Sequence, residues 1–241
     1  MIVKVFGMIG TMLLLLSSTS AIAGIILHGT RIIYNESRDN VGANITIKSE
    51  DNSNTPYLIR TQIYRDVQGQ VAQDKFVTTP SMFRLEPNNL NQVKILRIKN
   101  DLPKDRESIF YFRAIALPAT DKLDDKANPN LAGTLQIATG NTIKLFYRPV
   151  KFSISQKEAM GLLKFSLHSN GLKVANPTPY YITLSEIKVA NKLVKLNPKL
   201  GNTMIAPFSD VVYQDIHQKG KVQWSAINDF GGRDQFNGSV Q

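Results

Sequence analysis

The sequence predicts an all-β protein built from two β domains. Short runs rich in β-branched and aromatic residues recur from residue 24 onward, with Gly, Pro, Asn and Asp between them. Apolar residues partly alternate in runs such as "YLIRTQIYRD", and the first half has no convincing 3.6-residue apolar period over about ten residues. Residues 24–241 exceed one ordinary all-β domain, which favours two domains of about a hundred residues each.

The first 23 residues resemble a secretory signal peptide rather than a structural element. Lys4 precedes an apolar stretch from Met8 to Leu16, and Ala21-Ile22-Ala23 has the small-residue pattern of a cleavage site. The competing interpretation is a transmembrane helix, but the apolar stretch is about half of the roughly 20 residues that a span needs. We therefore expect residues 1–23 to be removed and the mature chain to begin at Gly24.

Composition narrows the class of partner. The chain has no cysteine, so its stability has to come from packing and hydrogen bonds instead of disulfides. Its net charge of +10 is compatible with nucleic acid, an acidic surface or a carboxylate-bearing partner. Secretion argues against nucleic acid, and the basic residues are scattered singly through strands instead of clustered, as on a solvated surface.

The first domain is predicted to cover residues 24–149. Seven runs in it read as strands, and this number within about 125 residues indicates an antiparallel, immunoglobulin-like sandwich. The runs are "TRIIYN", "ANITIKSE", "YLIRTQIYRD", "FVTTPSMFRLEP", "QVKILRIKN", "SIFYFRAIALP" and "TLQIATGNTIKLFYRP". The polar segment 117–133 is a long loop, which is either functional or a plain surface excursion.

The second domain is predicted to cover residues 150–241. Asn170-Gly171 marks a hairpin within "LLKFSLHSNGLKVANPTP". Further strands are expected in "YYITLSEIKV", "TMIAPF", "DVVYQ" and "GKVQWSAIND". Because the junction at Arg148-Pro149 has no Gly/Ser linker, we expect the two domains to be held at a fixed angle.

The sequence contains no recognisable catalytic pattern. Its three histidines, His28, His168 and His217, are far apart and form no metal-binding pair. There is no Gly-x-Ser-x-Gly elbow and no phosphate-binding Gly-x-x-x-x-Gly-Lys-Ser/Thr loop. Glu107 and Asp229 lie at the ends of predicted elements. We interpret them as surface charges or members of structural ion pairs, in preference to a catalytic acid and base. We expect a binding protein that is not an enzyme and that uses no metal, cofactor or nucleotide.

The stretch "NTIKLFYRP" places two cations, Lys144 and Arg148, in a β-rich aromatic run. Side chains alternate along a strand, so the preceding residues divide into two faces. One of these faces comprises Leu131, Gly133, Leu135, Ile137 and Thr139. It either faces the domain's own core or, because the run from Thr134 to Pro149 exceeds the usual strand of about five or six residues, projects beyond it.

The motifs resemble those of the periplasmic pilus-assembly chaperones, the PapD-like family. The matching motifs are "NTIKLFYRP", "TPSMFRLEP", "LPKDRESIFYF", "NPTPYY", "INDFGGR" and the early Thr30-Arg31. They occur in the family's order and spacing and span nearly the whole mature chain. Each motif is weak by itself, and the set is strong.

The resemblance implies two immunoglobulin-like β-sandwich domains in an L or boomerang arrangement. It implies a periplasmic chaperone of pilus (fimbrium) assembly that stabilises fimbrial subunits (pilins) by donor-strand complementation, a form of β-strand addition. It further implies delivery of the subunits to an outer-membrane usher. Exposed donor residues could be hidden by self-association when no client is bound.

The resemblance also assigns roles to eight residues. Arg31 and Lys144 match the cations that bind the carboxylate at the C-terminus of the subunit. The donor residues, whose side chains enter the subunit groove, are Leu135, Ile137 and Thr139. An interdomain structural salt bridge is expected among Glu107, Arg148 and Asp229.

Two features depart from the family pattern. Thr139 is smaller and more polar than the bulky aliphatic residue common at its position. The loop before the donor strand is long, yet the disulfide of the long-loop branch of the family is absent, so the branch and the fibre type stay open.

The alternative function is a secreted two-domain adhesin or structural surface protein whose basic residues face acidic glycans.

Overall fold

The computed structural model describes residues 24–50, 56–118, 138–150 and 152–241. Strands make up 54% and helices 6% of the described residues, which confirms the predicted all-β class. The predicted signal peptide, the donor residues Leu135 and Ile137, and most of the loop 117–133 lie outside the described residues. These expectations stay predictions.

The first domain is a sandwich of two sheets. Within the described residues it has nine strands: Ile25–Leu27 (β1), Arg31–Asn35 (β2), Ala43–Ser49 (β3), Tyr57–Tyr64 (β4), Phe76–Thr79 (β5), Met82–Leu85 (β6), Leu90–Arg97 (β7), Ser108–Pro118 (β8) and Thr139–Arg148 (β9). One sheet has the order β1-β3-β7-β5 and the other β2-β9-β8-β4-β6. A short 3-10 helix, Glu36–Arg38, follows β2.

Alternating apolar residues build the first core. Along β4, Tyr57, Ile59 and Ile63 are buried, and along β8 the inward side chains include Phe110 and Phe112. Burying each such side chain stabilises the fold by about 1.5–3 kcal/mol. These side chains share one cluster with inward residues of β2, β3, β7 and β9, so β9 is anchored in the core at its C-terminal half.

The run "FVTTPSMFRLEP" was predicted as one strand, and this is wrong. It divides into β5 and β6, which lie in different sheets. Pro80 lies between them, and a proline has no N–H to continue a hydrogen-bonded ladder. The chain therefore crosses from one layer of the sandwich to the other at this point.

The prediction of antiparallel sheets also needs one correction. β2 and β9 pair in parallel, with Arg31 opposite Lys144 and Asn35 opposite Arg148. The two strands are more than a hundred residues apart, so no hairpin turn imposes an antiparallel pairing on them. The three-residue strand β1 was too short to be recognised in the sequence.

The second domain contains eight strands and one helix among the described residues. They are the helix Gln156–Gly161 (α1) and the strands Lys164–His168 (β10), Gly171–Asn176 (β11), Ile182–Val189 (β12), Lys192–Leu193 (β13), Met204–Ile205 (β14), Ser209–Gln214 (β15), Lys221–Ile227 (β16) and Arg233–Ser239 (β17). One sheet has the order β10-β11-β15; the other is β13-β12-β16-β17, with β14 on β12. A 3-10 helix spans Pro198–Leu200.

Several elements of the second domain escaped prediction. α1 has only six residues, too few for a periodic pattern, and its start is fixed by a capping box between Ser155 and Glu158. β13 and β17 were also missed. No helix of the described residues combines the length and apolar character needed to cross a membrane.

The predicted hairpin is present between β10 and β11. His168 pairs with Gly171, which leaves Ser169 and Asn170 as the loop. Gly171 has a φ of +142°, and a Cβ there would lie 2.0 Å from the Tyr213 carbonyl oxygen. Glycine is required at this position because the neighbouring backbone of β15 leaves no room for a side chain.

Arg148 joins the two domains. Its Nε donates to Glu107 Oε1 at 2.8 Å, and its Nη1 and Nη2 donate to the two carboxylate oxygens of Asp229 at 2.6 and 2.9 Å. Glu107 belongs to the first domain and Asp229 follows β16 of the second. We call Arg148, Glu107 and Asp229 the ion-pair set.

Further contacts hold the domains beside the ion-pair set. The Glu107 amide donates to Pro179 O at 2.9 Å, and Glu107 Oε2 accepts from the Tyr181 amide at 2.8 Å. The Arg106 guanidinium lies over the Phe208 ring at 5.0 Å. Both backbone and side chains of the segment 106–107 therefore contact the second domain.

Burial governs the electrostatics of the ion-pair set. Burial raises the pKa of Glu107 to about 7, while Arg148 and the Tyr181 amide oppose this shift. Burial alone would lower the pKa of Arg148, but the hydrogen bonds and charges of Asp229 and Glu107 outweigh it and raise that pKa. The buried carboxylate of Glu107 thus depends on its cation.

We expect Arg148→Ala to lower the free energy of unfolding by about 3–5 kcal/mol, because it leaves Glu107 buried without its partner. Thermal and urea unfolding followed by circular dichroism would measure this. Arg38→Ala is the matched control, since Arg38 is exposed and its loss removes the same charge. An equal loss of stability in both variants would contradict a structural role for Arg148.

A triple variant separates the cost of an orphaned charge from the value of the set. Arg148→Met, Glu107→Leu and Asp229→Asn together should destabilise less than Arg148→Ala alone, because no buried charge is left unpaired.

Candidate functional site

Arg31 and Lys144, which we call the cation pair, lie side by side between the two domains. Arg31 begins β2, and Lys144 is its direct partner in β9. The next residues, Ile32 and Leu145, point into the first core, so strand alternation turns both cations to the opposite face. That face meets the second domain.

The second domain contributes two polar groups to the cation pair. Arg31 Nη1 donates to the carbonyl oxygen of Ile227 at 3.0 Å. Lys144 Nζ lies 3.4 Å from Thr183 Oγ1 of β12. The Arg31 guanidinium also lies 5.7 Å from the centroid of the Phe146 ring. The position of the pair therefore depends on the docking of both domains.

In the described part of the chain, no carboxylate neutralises the cation pair. No acidic side chain of the described residues forms a salt bridge with Arg31 or Lys144. Arg31 Nε is buried and has no hydrogen-bond partner. Such a group is costly unless a partner satisfies it, so the arrangement fits an anion with two acceptor oxygens.

The pKa values reflect this excess of positive charge. Burial, and then the charge of Arg31, lowers the pKa of Lys144 to about 8. Burial also lowers the pKa of Arg31, which the more distant Asp229 and Glu107 partly oppose. An anion bound between the two side chains would favour their charged forms.

A free strand edge begins at the cation pair. β9 pairs with β8 over Thr139–Tyr147, but on its other side it pairs with β2 only from Lys144 to Arg148. In the part of the chain that is described, no strand pairs with the β2 side of residues 139–143. β1 lies beside this part of β9, where Asn141 Nδ2 donates to the Ile25 carbonyl at 2.8 Å, but the two described strands form no backbone ladder. An added strand would therefore meet unpaired backbone groups of β9 next to this side-chain contact.

Lys144 and Arg148 share one face of β9 but have different surroundings. Arg148 meets two carboxylates, whereas Lys144 meets a second cation and a hydroxyl group. Thr139 starts β9, is half-buried, and has the same strand parity as the core residues Leu145 and Tyr147. Its Oγ1 is buried without a hydrogen-bond partner.

Several residues of the site were not foreseen from the sequence. The second-domain contacts Thr183 and Ile227 act through a hydroxyl and a backbone carbonyl, and neither has a sequence signal. Phe146 was part of a quoted motif, but its place beside Arg31 depends on strand alternation. Across the described ranges, no three His, Cys, Asp or Glu side chains come together as metal ligands.

Comparison with known proteins identifies the family. Residues 24–153 match the family described as "Pili and flagellar-assembly chaperone, PapD N-terminal domain", and residues 158–238 match "Pili assembly chaperone PapD, C-terminal domain". The probable fimbrial chaperone protein ElfD of Escherichia coli K12 is 36% identical over 226 residues, covering 90% of this chain and 89% of ElfD. The chaperone protein FocC of Escherichia coli is 32% identical over 231 residues, covering 95% of each chain.

Solved structures agree with this assignment. A chain in the Salmonella enterica SafA pilin–SafB chaperone complex has a TM-score of 0.75 and 26% identity, covering 92% of this chain and 98% of its own. The Escherichia coli chaperone DraB has a TM-score of 0.74 and 30% identity, covering 91% and 97%. The chain therefore belongs to the PapD family of pilus-assembly chaperones, whose N-terminal and C-terminal domains it matches in order.

Proposed function

We propose that this protein is a periplasmic chaperone that binds fimbrial subunits through β9 and holds their C-terminal carboxylate at the cation pair. Membership of the PapD family and the likeness to a pilin–chaperone complex support subunit binding. The observation that carries the finer proposal is that two unneutralised cations lie where the free edge of β9 begins. An adhesin or structural surface protein has no use for such a site.

A terminal carboxylate suits the cation pair. Arg31 Nη1 donates to the Ile227 carbonyl, so Nε and Nη2 remain as hydrogen-bond donors for an anion. Lys144 adds a point charge with donors to spare, because its one contact in the described structure is long. Charge-assisted hydrogen bonds contribute roughly 1.5–3 kcal/mol each.

The proposed anchor implies a direction for the bound strand. The end of the bound chain lies at Lys144, and its preceding residues follow the free edge beside residues 139–143. A chain that ends at Lys144 after passing Thr139 runs in the same direction as β9. The bound strand is therefore parallel to β9 and continues the line of β2, which also pairs in parallel.

Pinning the chain end fixes which side chains meet. Of the β9 residues with the parity of Leu145, Ile143, Leu145 and Tyr147 pack in the first core, whereas Thr139, on the same face, begins the strand four residues before Ile143. Leu135 and Ile137 have the same parity, so we propose that these three donor residues enter the groove of the subunit. A one-residue shift would turn them to the other face, which is why an anchored end is needed.

Donor-strand binding explains chaperoning without an energy source. A sandwich that lacks a strand exposes its core groove and unpaired edges, and both promote aggregation. Covering them with β9 stabilises the subunit, and release follows when another subunit's extension replaces β9 at an outer-membrane usher. Without a client, self-association would cover the same edge.

We expect Arg31→Ala or Lys144→Ala to weaken subunit binding by about 10- to 150-fold, the loss of one charge-assisted bond. Co-expression with the cognate subunit and quantification of periplasmic subunit would show the loss, while the thermal melt of the free chaperone confirms folding. Lys157→Ala is the control, because Lys157 is exposed on α1. Unchanged subunit levels in the site variants would refute the anchor.

Binding should also depend on pH. Lys144 must be protonated to hold a carboxylate, and its pKa in the free site is about 8. The bound anion raises this pKa, so binding takes up a proton above pH 8 and weakens by up to about tenfold per pH unit. Titration of a peptide with the C-terminal sequence of the pilin, between about pH 7 and 9.5, would measure this. Lys144→Arg should remove most of the dependence, and identical pH profiles would contradict the assignment.

A cross-link can test the donor strand. The natural chain has no cysteine, so Thr139→Cys introduces a unique thiol for a photoactivatable cross-linker. We expect capture of the subunit at position 139 and none at Val67→Cys, an exposed loop position with 51% of its surface accessible. Capture of the subunit at position 67 alone would contradict donation by β9.

A further inference from the structure

Phe230 is the most exposed large apolar side chain of the described residues. Its side chain is 98% exposed, and the next value is 73%, for Leu200. A single exposed apolar residue is ordinary on a protein surface. The distinguishing features of Phe230 are the rigidity of its loop and the position of that loop.

The loop is fixed by a network centred on Asn228. Asn228 Oδ1 accepts from the amides of Phe230 and Gly232 at 3.1 and 2.9 Å. The backbone carbonyl of Asn228 accepts from the Gly231 amide at 3.0 Å, and the backbone amide of Asn228 donates to the Gly232 carbonyl at 2.9 Å. Asp229 is held by two bonds from Arg148. Phe230 is therefore held in solvent by an ordered turn.

The same turn lies against the cation pair. The Ile227 carbonyl, immediately before the turn, accepts from Arg31. Gly231, with a φ of +85°, lies so near to Thr30 that an added Cβ would be 2.6 Å from Thr30 Oγ1. Phe230 is thus flanked by residues that contact Thr30, Arg31 and Arg148.

The C-terminal end of a bound client would bring its own side chains close to the turn that carries Phe230. Consecutive residues of an extended chain are at most about 3.6 Å apart, so the last two residues lie within about 7 Å of the terminal carboxylate. With the carboxylate at the cation pair, whose Arg31 contacts the Ile227 carbonyl immediately before the turn, these side chains would lie close to the turn. An aromatic ring gains free energy by contact with apolar groups there, since it is otherwise fully hydrated.

We propose that Phe230 is a specificity contact that packs against an apolar side chain within two residues of the client's terminal carboxylate. This inference rests on the proposed function. It assigns a preference for the side chains at the chain end, whereas the cation pair recognises only the carboxylate. The client class is an extended polypeptide with an apolar, and best an aromatic, residue next to its free C-terminus.

A thermodynamic cycle tests the contact. The probe is a fluorescent twelve-residue peptide from the C-terminus of the cognate pilin, and a second peptide carries alanine at its last two positions. We expect Phe230→Ala to weaken binding of the first peptide by about tenfold and of the second by less than about twofold. Phe230→Tyr should retain tight binding. Leu200→Ala is the control for loss of exposed apolar surface and should change neither affinity.

Two outcomes separate this inference from the proposed function. If Arg31→Ala and amidation of the peptide both weaken binding while Phe230→Ala does not, the contact is refuted and the anchor stands. If amidation has no effect, the anchor itself fails. A change in sedimentation of the free chaperone on Phe230→Ala, with unchanged peptide affinity, would assign Phe230 to self-association and overturn the inference.

Discussion

The unneutralised charge of Arg31 and Lys144 is the constraint on which the interpretation of this protein depends. Folding places two cations next to each other, partly buried, and no carboxylate of the described residues forms a salt bridge with either of them. Arg148 lies on the same face of β9, four residues after Lys144, and it forms hydrogen bonds with two carboxylates. Within the described residues, the fold therefore neutralises one cation of this strand and not the other, which is the basis of the proposed anion site.

The ion-pair set and the cation pair depend on each other through the domain interface. Arg148 holds Asp229 at the start of the turn, and the carbonyl just before that turn receives Arg31. Thr183 of the second domain meets Lys144 only because the same interface brings β12 to β9. A change in the angle between the domains would separate these groups, so the proposed client site depends on the same contacts that hold the domains together.

Sequence reasoning recovered the β class and most strand positions. These features depend on local composition and on motifs, which can be recognised without knowing which strands pair with each other. It failed where a strand was very short, as at β1 and β13, and where Pro80 divided a continuous β-rich run between two sheets. The parallel pairing of β2 with β9 was also missed, since it is a contact between distant segments.

The sequence by itself determined that "NTIKLFYRP" is a strand with two cations on one face, because side-chain alternation is a property of the extended backbone. Only the tertiary structure decided which cation is paired. The carboxylates of residues 107 and 229 contact Arg148, and no carboxylate in the described part of the chain contacts Lys144. Charge neutralisation depends on distances between segments remote in the chain, and packing alone sets those distances.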